Sequence, residues 1–200
     1  MTDQTIEQSG HNVPVVFTQE NLDWLPWLEP FPANGLTARH WAGLVDASRA
    51  KSPYFMLLVR DPDILQARTR TDKDIFYNPE AGLPRAEREL AAAAASRFNG
   101  CIYCASVHAR FATHFSHRGE DVQRLLDEGV GADLGARWNA IVAASVALSA
   151  TPPRFGSEHV TALRAQGLDD AAIVDVINGA AFFNWANRLM LSLGEPELPG

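Results

Sequence analysis

Cysteine is nearly absent from this chain: its 200 residues contain two. That scarcity excludes a scaffold built on several disulfides. Long apolar runs are missing as well. The longest stretches, such as AAIVDVINGAAFF, are interrupted by Asp175 and Asn178 and are too short to span a bilayer, so no membrane partner is expected. There is no basic stripe with interleaved aromatics, and the formal net charge is −7, which excludes a nucleic-acid partner. The opening residues lack the basic and apolar regions of a secretory signal. The expectation is therefore a cytoplasmic protein, where paired cysteines serve catalysis or metal binding rather than a permanent staple. Sustained period-two alternation, exact repeats and low-complexity linkers are also absent. The expected fold class is all-α, in one domain large enough to bury a core.

What is present divides into two parts. Residues 1–35 read as an N-terminal extension. Residues 1 to about 20 are polar and unpatterned, as in a poorly ordered tail or a partner-dependent arm. In NLDWLPWLEPFP, Trp24, Trp27 and Phe31 sit between prolines, so the segment is an extended strap that covers its own domain or crosses a subunit interface. Residues 36–200 read as helical. LTARHWAGLVDASRAK is amphipathic up to Ser52-Pro53, and Asp61-Pro62 caps and opens DILQARTRTDKDIFY. After the turn EAGLP, Pro84 opens a helix that Asn99-Gly100 closes, and the next helix runs from about Cys101 to Phe115. Four more follow, in EDVQRLLDEG, LGARWNAIVAASVALSA, SEHVTALRAQG (with Ser157 as the N-cap) and DDAAIVDVINGAAFFNWANRLMLSL. The run Ala91 to Ala95 lets helix axes approach closely, against the helix carrying the cysteines or its neighbour. Such faces, with the strap, point to a homo-oligomer.

The two cysteines stand together in SRFNGCIYCASVHARF. At 100° per residue, Cys101, Cys104 and His108 fall within about 60° of one another on one helix face, and Phe111 and Phe115 continue the stripe. A thiol in the first turn gains from unpaired N–H groups and the positive end of the helix dipole, and a nearby imidazole adds a base. That is the setting of a reactive dithiol. A closed zinc site needs four ligands. Here there are three, with His114 and His117 on other faces, so no metal is expected. A buried pair of unreactive thiols is the plainer alternative. Glu89, twelve residues before Cys101, could meet His108 over Cys104 if the two helices are antiparallel. It also belongs to the charged cluster Glu87, Arg88, Glu89, so a solvated carboxylate stays open. Phe182, Phe183 and Trp185 could wall an apolar pocket or simply fill a core, and Asn187-Arg188 reads as a solvated or interface pair.

The stretch ELAAAAASRFNGCIYCASVH resembles the alkylhydroperoxidase D signature, a Glu followed by CxxC and then His at this spacing. The likeness extends over roughly residues 50 to 195 and is greatest to the peroxidase-related proteins of the carboxymuconolactone decarboxylase superfamily. It implies an all-helical, oligomeric fold and a thiol-dependent peroxidase acting on organic hydroperoxides or hydrogen peroxide. By that resemblance Cys104 attacks the peroxide, Cys101 resolves the sulfenic acid to a disulfide, and Glu89 with His108 forms the proton relay. No cofactor is implied beyond an external dithiol electron donor, a lipoyl or thioredoxin-like protein. One departure stands out: Tyr103 occupies the place of a second histidine, and tyrosine is a poor base near pH 7. The alternatives are a redox-sensing oligomer without steady turnover and a carboxymuconolactone decarboxylase-like enzyme.

Overall fold

Proline and acidic caps decide where the helices begin. Asp61 accepts a hydrogen bond from the Ile64 N–H at 3.3 Å, with Pro62 at the first helical position, and Asp169 does the same for the Ala172 N–H at 2.8 Å. The computed structural model describes residues 5–80 and 82–200. Its elements run β1 (Asp23–Pro26), α1 (Ala38–Leu44), α2 (Pro53–Leu58), α3 (Pro62–Tyr77), α4 (Arg85–Asn99), α5 (Ile102–Ser116), α6 (Gly119–Glu128), α7 (Ala136–Ser149), α8 (Ser157–Ala165), α9 (Asp170–Leu193) and β2 (Gly194–Glu197). The protein is thus mostly helical, with one two-stranded antiparallel ribbon in which Asp23 faces Glu197 and Pro26 faces Gly194.

The alanine-rich α4 is the central helix. Ala91, Ala92, Ala93, Ala94 and Ala95 are all completely buried, and α4 packs against α5, α7 and α9. Small side chains all round let three helices close on it at once. One core lies between α4 and α5–α9, with Leu90, Ala105, Leu125, Ile141 and Leu163 at its centre. A second gathers Trp24, Tyr54, Phe76, Cys101, Cys104 and Phe183. No helix among the described residues is long and apolar enough to cross a membrane.

Several expectations need correction. The helix expected over residues 36–51 breaks at Val45, whose φ of 64° ends α1, and a short 3₁₀ turn, Ala47–Lys51, follows. The short α2 and the ribbon were not foreseen. Ser157 is the first residue of α8 rather than its cap, which is Gly156. Part of the expected tail, residues 1–4, and Ala81 of the EAGLP turn lie outside the described residues. Residues 5–20 make specific contacts. Ile6 N–H donates to the Trp27 carbonyl at 2.8 Å, Phe17 stacks under Arg97 at 4.1 Å, and Gln19 reaches Gln123 on α6 at 2.9 Å. The strap lies on its own chain: Trp27 N–H donates to the Leu193 carbonyl at 2.8 Å, and Trp24 packs edge-on to Tyr54 at 5.5 Å.

Candidate active site

The site is set by the corner between α4 and α5. Gly100 closes α4 in the left-handed region (φ 80°), which a residue with a side chain adopts only under strain, and the Cys101 N–H returns to the Ser96 carbonyl at 2.9 Å. The chain reverses there, so α5 runs back along α4. Cys101 becomes the N-cap of α5, and Cys104 follows one turn later.

That reversal brings Glu89 to His108. His108 Nδ1 lies 2.5 Å from Glu89 Oε2, and Arg85 Nε donates to Glu89 Oε1 at 2.6 Å. Glu89 is 1% exposed, and Glu87 and Arg88 are buried with it, so of the two readings left open for this cluster the solvated one does not hold. The Arg85 cation and the His108 N–H offset its desolvation cost. A carboxylate only accepts, so Nδ1 carries a proton, and in the neutral ring Nε2 is then the basic nitrogen. The ring is held from its other sides by Phe183, at 3.9 Å between centroids, and Phe76, at 5.1 Å. Arg85 is itself ringed by Tyr77 at 4.2 Å and Phe115 at 4.9 Å, so the exposed Phe111–Phe115 stripe shields the ion pair.

A pocket of about 210 Å³ opens onto this group, lined among others by Tyr54, Arg68, Tyr103, Cys104, His108 and Phe183. Cys104 faces it and Cys101 does not. Cys101, although it stands at the helix start, is 1% exposed against 5% for Cys104, because it is covered by Asn187 and the α4–α9 packing. Both are free thiols. A hydrogen bond from the Cys104 thiol lowers the pKa of Cys101 against the opposing effect of burial, aided by the Cys104 backbone N–H and Asn187. The same bond, then burial, raises Cys104 well above the ordinary thiol range. The pair therefore loses its first proton from the N-cap sulfur, where a helix start favours an anion. Burial raises the Tyr103 phenol, so it supplies no base. Among the described residues no three His, Cys, Asp or Glu side chains converge in metal-binding range.

Several neighbours had not been singled out. Arg85 was detectable, since Arg and Glu four residues apart on a helix face each other. Arg68 and Tyr54 come from α3 and α2 and reach the pocket through packing that leaves no local signal. Asn187 was read, with Arg188, as part of a solvated or interface pair. It is completely buried, donating to Ser96 Oγ at 3.0 Å and accepting from Asn99 at 3.0 Å. Arg188 is exposed and bonds Asn184 on its own helix. Phe183 lines the pocket, Phe182 fills the core beside it and Trp185 is exposed.

Residues 62–147 match the carboxymuconolactone decarboxylase family. Among solved structures, a peroxidase-related protein from Ralstonia eutropha JMP134, described as an alkylhydroperoxidase AhpD core, is 21% identical with a TM-score of 0.69, over 82% of this chain and 88% of that one. A peroxidase-related protein from Silicibacter sp. TM1040 is 24% identical with a TM-score of 0.62, over 71% and 74%. The debrominase Bmp8 is 19% identical with a TM-score of 0.64, over 82% and 87%. These likenesses are of fold. Among curated proteins, none matches the chain by sequence.

Proposed function

We propose that this chain is an alkylhydroperoxidase D-like member of the carboxymuconolactone decarboxylase superfamily and that Cys101 and Cys104 carry a thiol-dependent peroxidase cycle. The observation that carries this reading is the 2.5 Å Glu89–His108 pair, set beside Cys104 on one pocket wall. Glu89 orients the imidazole and strengthens Nε2 as a base, which takes the Cys104 proton as substrate enters. The Cys104 thiolate attacks the terminal oxygen of ROOH and the O–O bond breaks. Sulfur keeps the OH as a sulfenic acid, and RO⁻ leaves as ROH with the proton from His108. Cys101, the more acidic thiol, then attacks the Cys104 sulfur while its proton passes to the departing hydroxyl, which leaves as water. An external dithiol reduces the resulting disulfide. Cys104 is assigned the attack because it faces the pocket, and Cys101 the resolution because it lies behind and ionises first.

The test is peroxide consumption with dihydrolipoamide, thioredoxin and glutathione supplied separately. Steady turnover with a dithiol donor, absent in Cys104→Ser, is the expected result. Consumption of one peroxide per site, with no turnover, would make the protein a redox sensor. In Cys101→Ser, dimedone should trap a sulfenic acid on Cys104. Labelling of Cys101 in Cys104→Ser at the wild-type rate would reverse the two roles.

A further inference from the structure

The same pocket holds a second polar group that the peroxide chemistry leaves unused. Arg68, on α3, is 8% exposed and lines the pocket. Its Nε has no hydrogen-bond partner among the described residues. The other pocket charges are matched: Glu89 by Arg85 at 2.6 Å, and Asp72 by Arg49 at 3.8 Å. Around the Arg68 guanidinium stand the rings of Tyr54, Phe55 and Phe182, at 5.3 to 5.6 Å. Rings attract a cation but accept no in-plane hydrogen bond. Tyr54 also lines the pocket, and its buried hydroxyl has the Arg68 guanidinium as its polar neighbour.

Buried donors are almost always satisfied, so the unpartnered Arg68 edge calls for an acceptor that the cavity can admit, water when it is empty and a ligand group when it is filled. A guanidinium fork matches a carboxylate in shape and charge, and a phenol adds a third donor. The rest of the wall, with Phe76, Phe111 and Phe183, is apolar. The cavity lies below the roughly 300–1,000 Å³ of drug-sized sites, so its occupant is small. Resting on the peroxidase reading, we infer that the pocket selects a small organic hydroperoxide bearing a carboxylate, held by Arg68 and the Tyr54 hydroxyl with its peroxide end at Cys104. The competing role for Arg68 is electrostatic support of the Cys104 thiolate, and the two roles give different kinetics.

The test pairs cumene hydroperoxide with its para-carboxylate. Wild type should prefer the carboxylate, through KM. Arg68→Met should lower kcat/KM for the carboxylate by about 10–100-fold more than for the neutral substrate, the worth of hydrogen bonds to a charged group. Equal loss for both substrates would assign Arg68 to the thiolate and overturn the inference. Binding to the reduced protein, followed by calorimetry, separates this inference from the peroxidase reading. Para-isopropylbenzoate should bind and para-isopropylbenzamide should not. If neither hydroperoxide turns over but the benzoate still binds, only the peroxidase reading fails. If benzoate and benzamide bind alike, or neither binds, the carboxylate site is wrong, whatever the folding of the Arg68→Met variant.

Discussion

Glu89 joins Arg85 on one oxygen to His108 on the other, so its removal reaches the reactive sulfur only through the imidazole. A positioned base is worth about 10²–10⁴ in rate. Glu89→Gln and His108→Gln should each slow peroxide reaction within that range, and the double variant should be no slower than the worse single one, because the two act as a unit. Multiplicative losses in stopped-flow kinetics would rule out the shared relay. Tyr54 gives a prediction about pH. Burial raises its phenol from the usual 10.0 to about 12, against the opposing effect of the nearby Arg68 cation. The folded state thus keeps a proton that the unfolded state releases. This stability is complete below pH 10 and is lost as pH rises through about 12, roughly 2–3 kcal/mol in all. Tyr54→Phe should flatten that alkaline loss in urea titrations and change little at pH 7. An equally steep loss in the variant would place its cause elsewhere. At this scale the sequence disclosed Cys101, Cys104, His108 and Glu89, because helical spacing and a reversing corner put them on facing surfaces. It did not disclose Arg68, Tyr54 or Asn187, whose positions depend on how α2, α3 and α9 pack around that corner.

Helix ends were legible wherever a residue type enforces them: Asp61-Pro62 for α3, Gly100 for α4, Asp169 for α9. The break after α1 was not, since nothing in the composition of Val45 announces a positive φ. The ribbon was hidden for a different reason. Four-residue strands with a proline in each carry no alternation, and their pairing joins positions about 170 residues apart, a tertiary event with no local trace. Gly194 shows how tightly the ribbon is fitted. A Cβ there would collide with the Leu25 carbonyl and the Trp24 indole. Overpacking of this kind costs about 1–3 kcal/mol. Gly194→Ala should therefore lower Tm and speed proteolysis between residues 5 and 30, while leaving α4 and α5 protected in hydrogen exchange. It should also weaken catalysis modestly, because Trp24 packs on Tyr54 at the pocket. Unchanged proteolysis would show that the strap is not held by this pairing.

The surface of the whole molecule is larger than its mass calls for. A compact monomer of 21.9 kDa exposes roughly 9,300 Å² by the usual scaling, and this chain exposes 10,236 Å². Apolar side chains account for part of the excess: Val15 and Val16 on the N-terminal arm, Trp41 on α1, Ile64 on α3 and Trp185 on α9 all stand exposed. Large aromatic and branched side chains left in water are what an interface core needs. The chain should therefore assemble with copies of itself. Light scattering at micromolar concentration should give at least twice the 21.9 kDa chain mass. Trp185→Glu and Trp41→Glu test which face is used, since a buried unpaired charge at an interface costs several kcal/mol and should shift the distribution toward single chains. A wild-type protein that scatters as one chain at every concentration would show that these side chains remain in water and that the pocket, Arg68 included, is complete within one subunit.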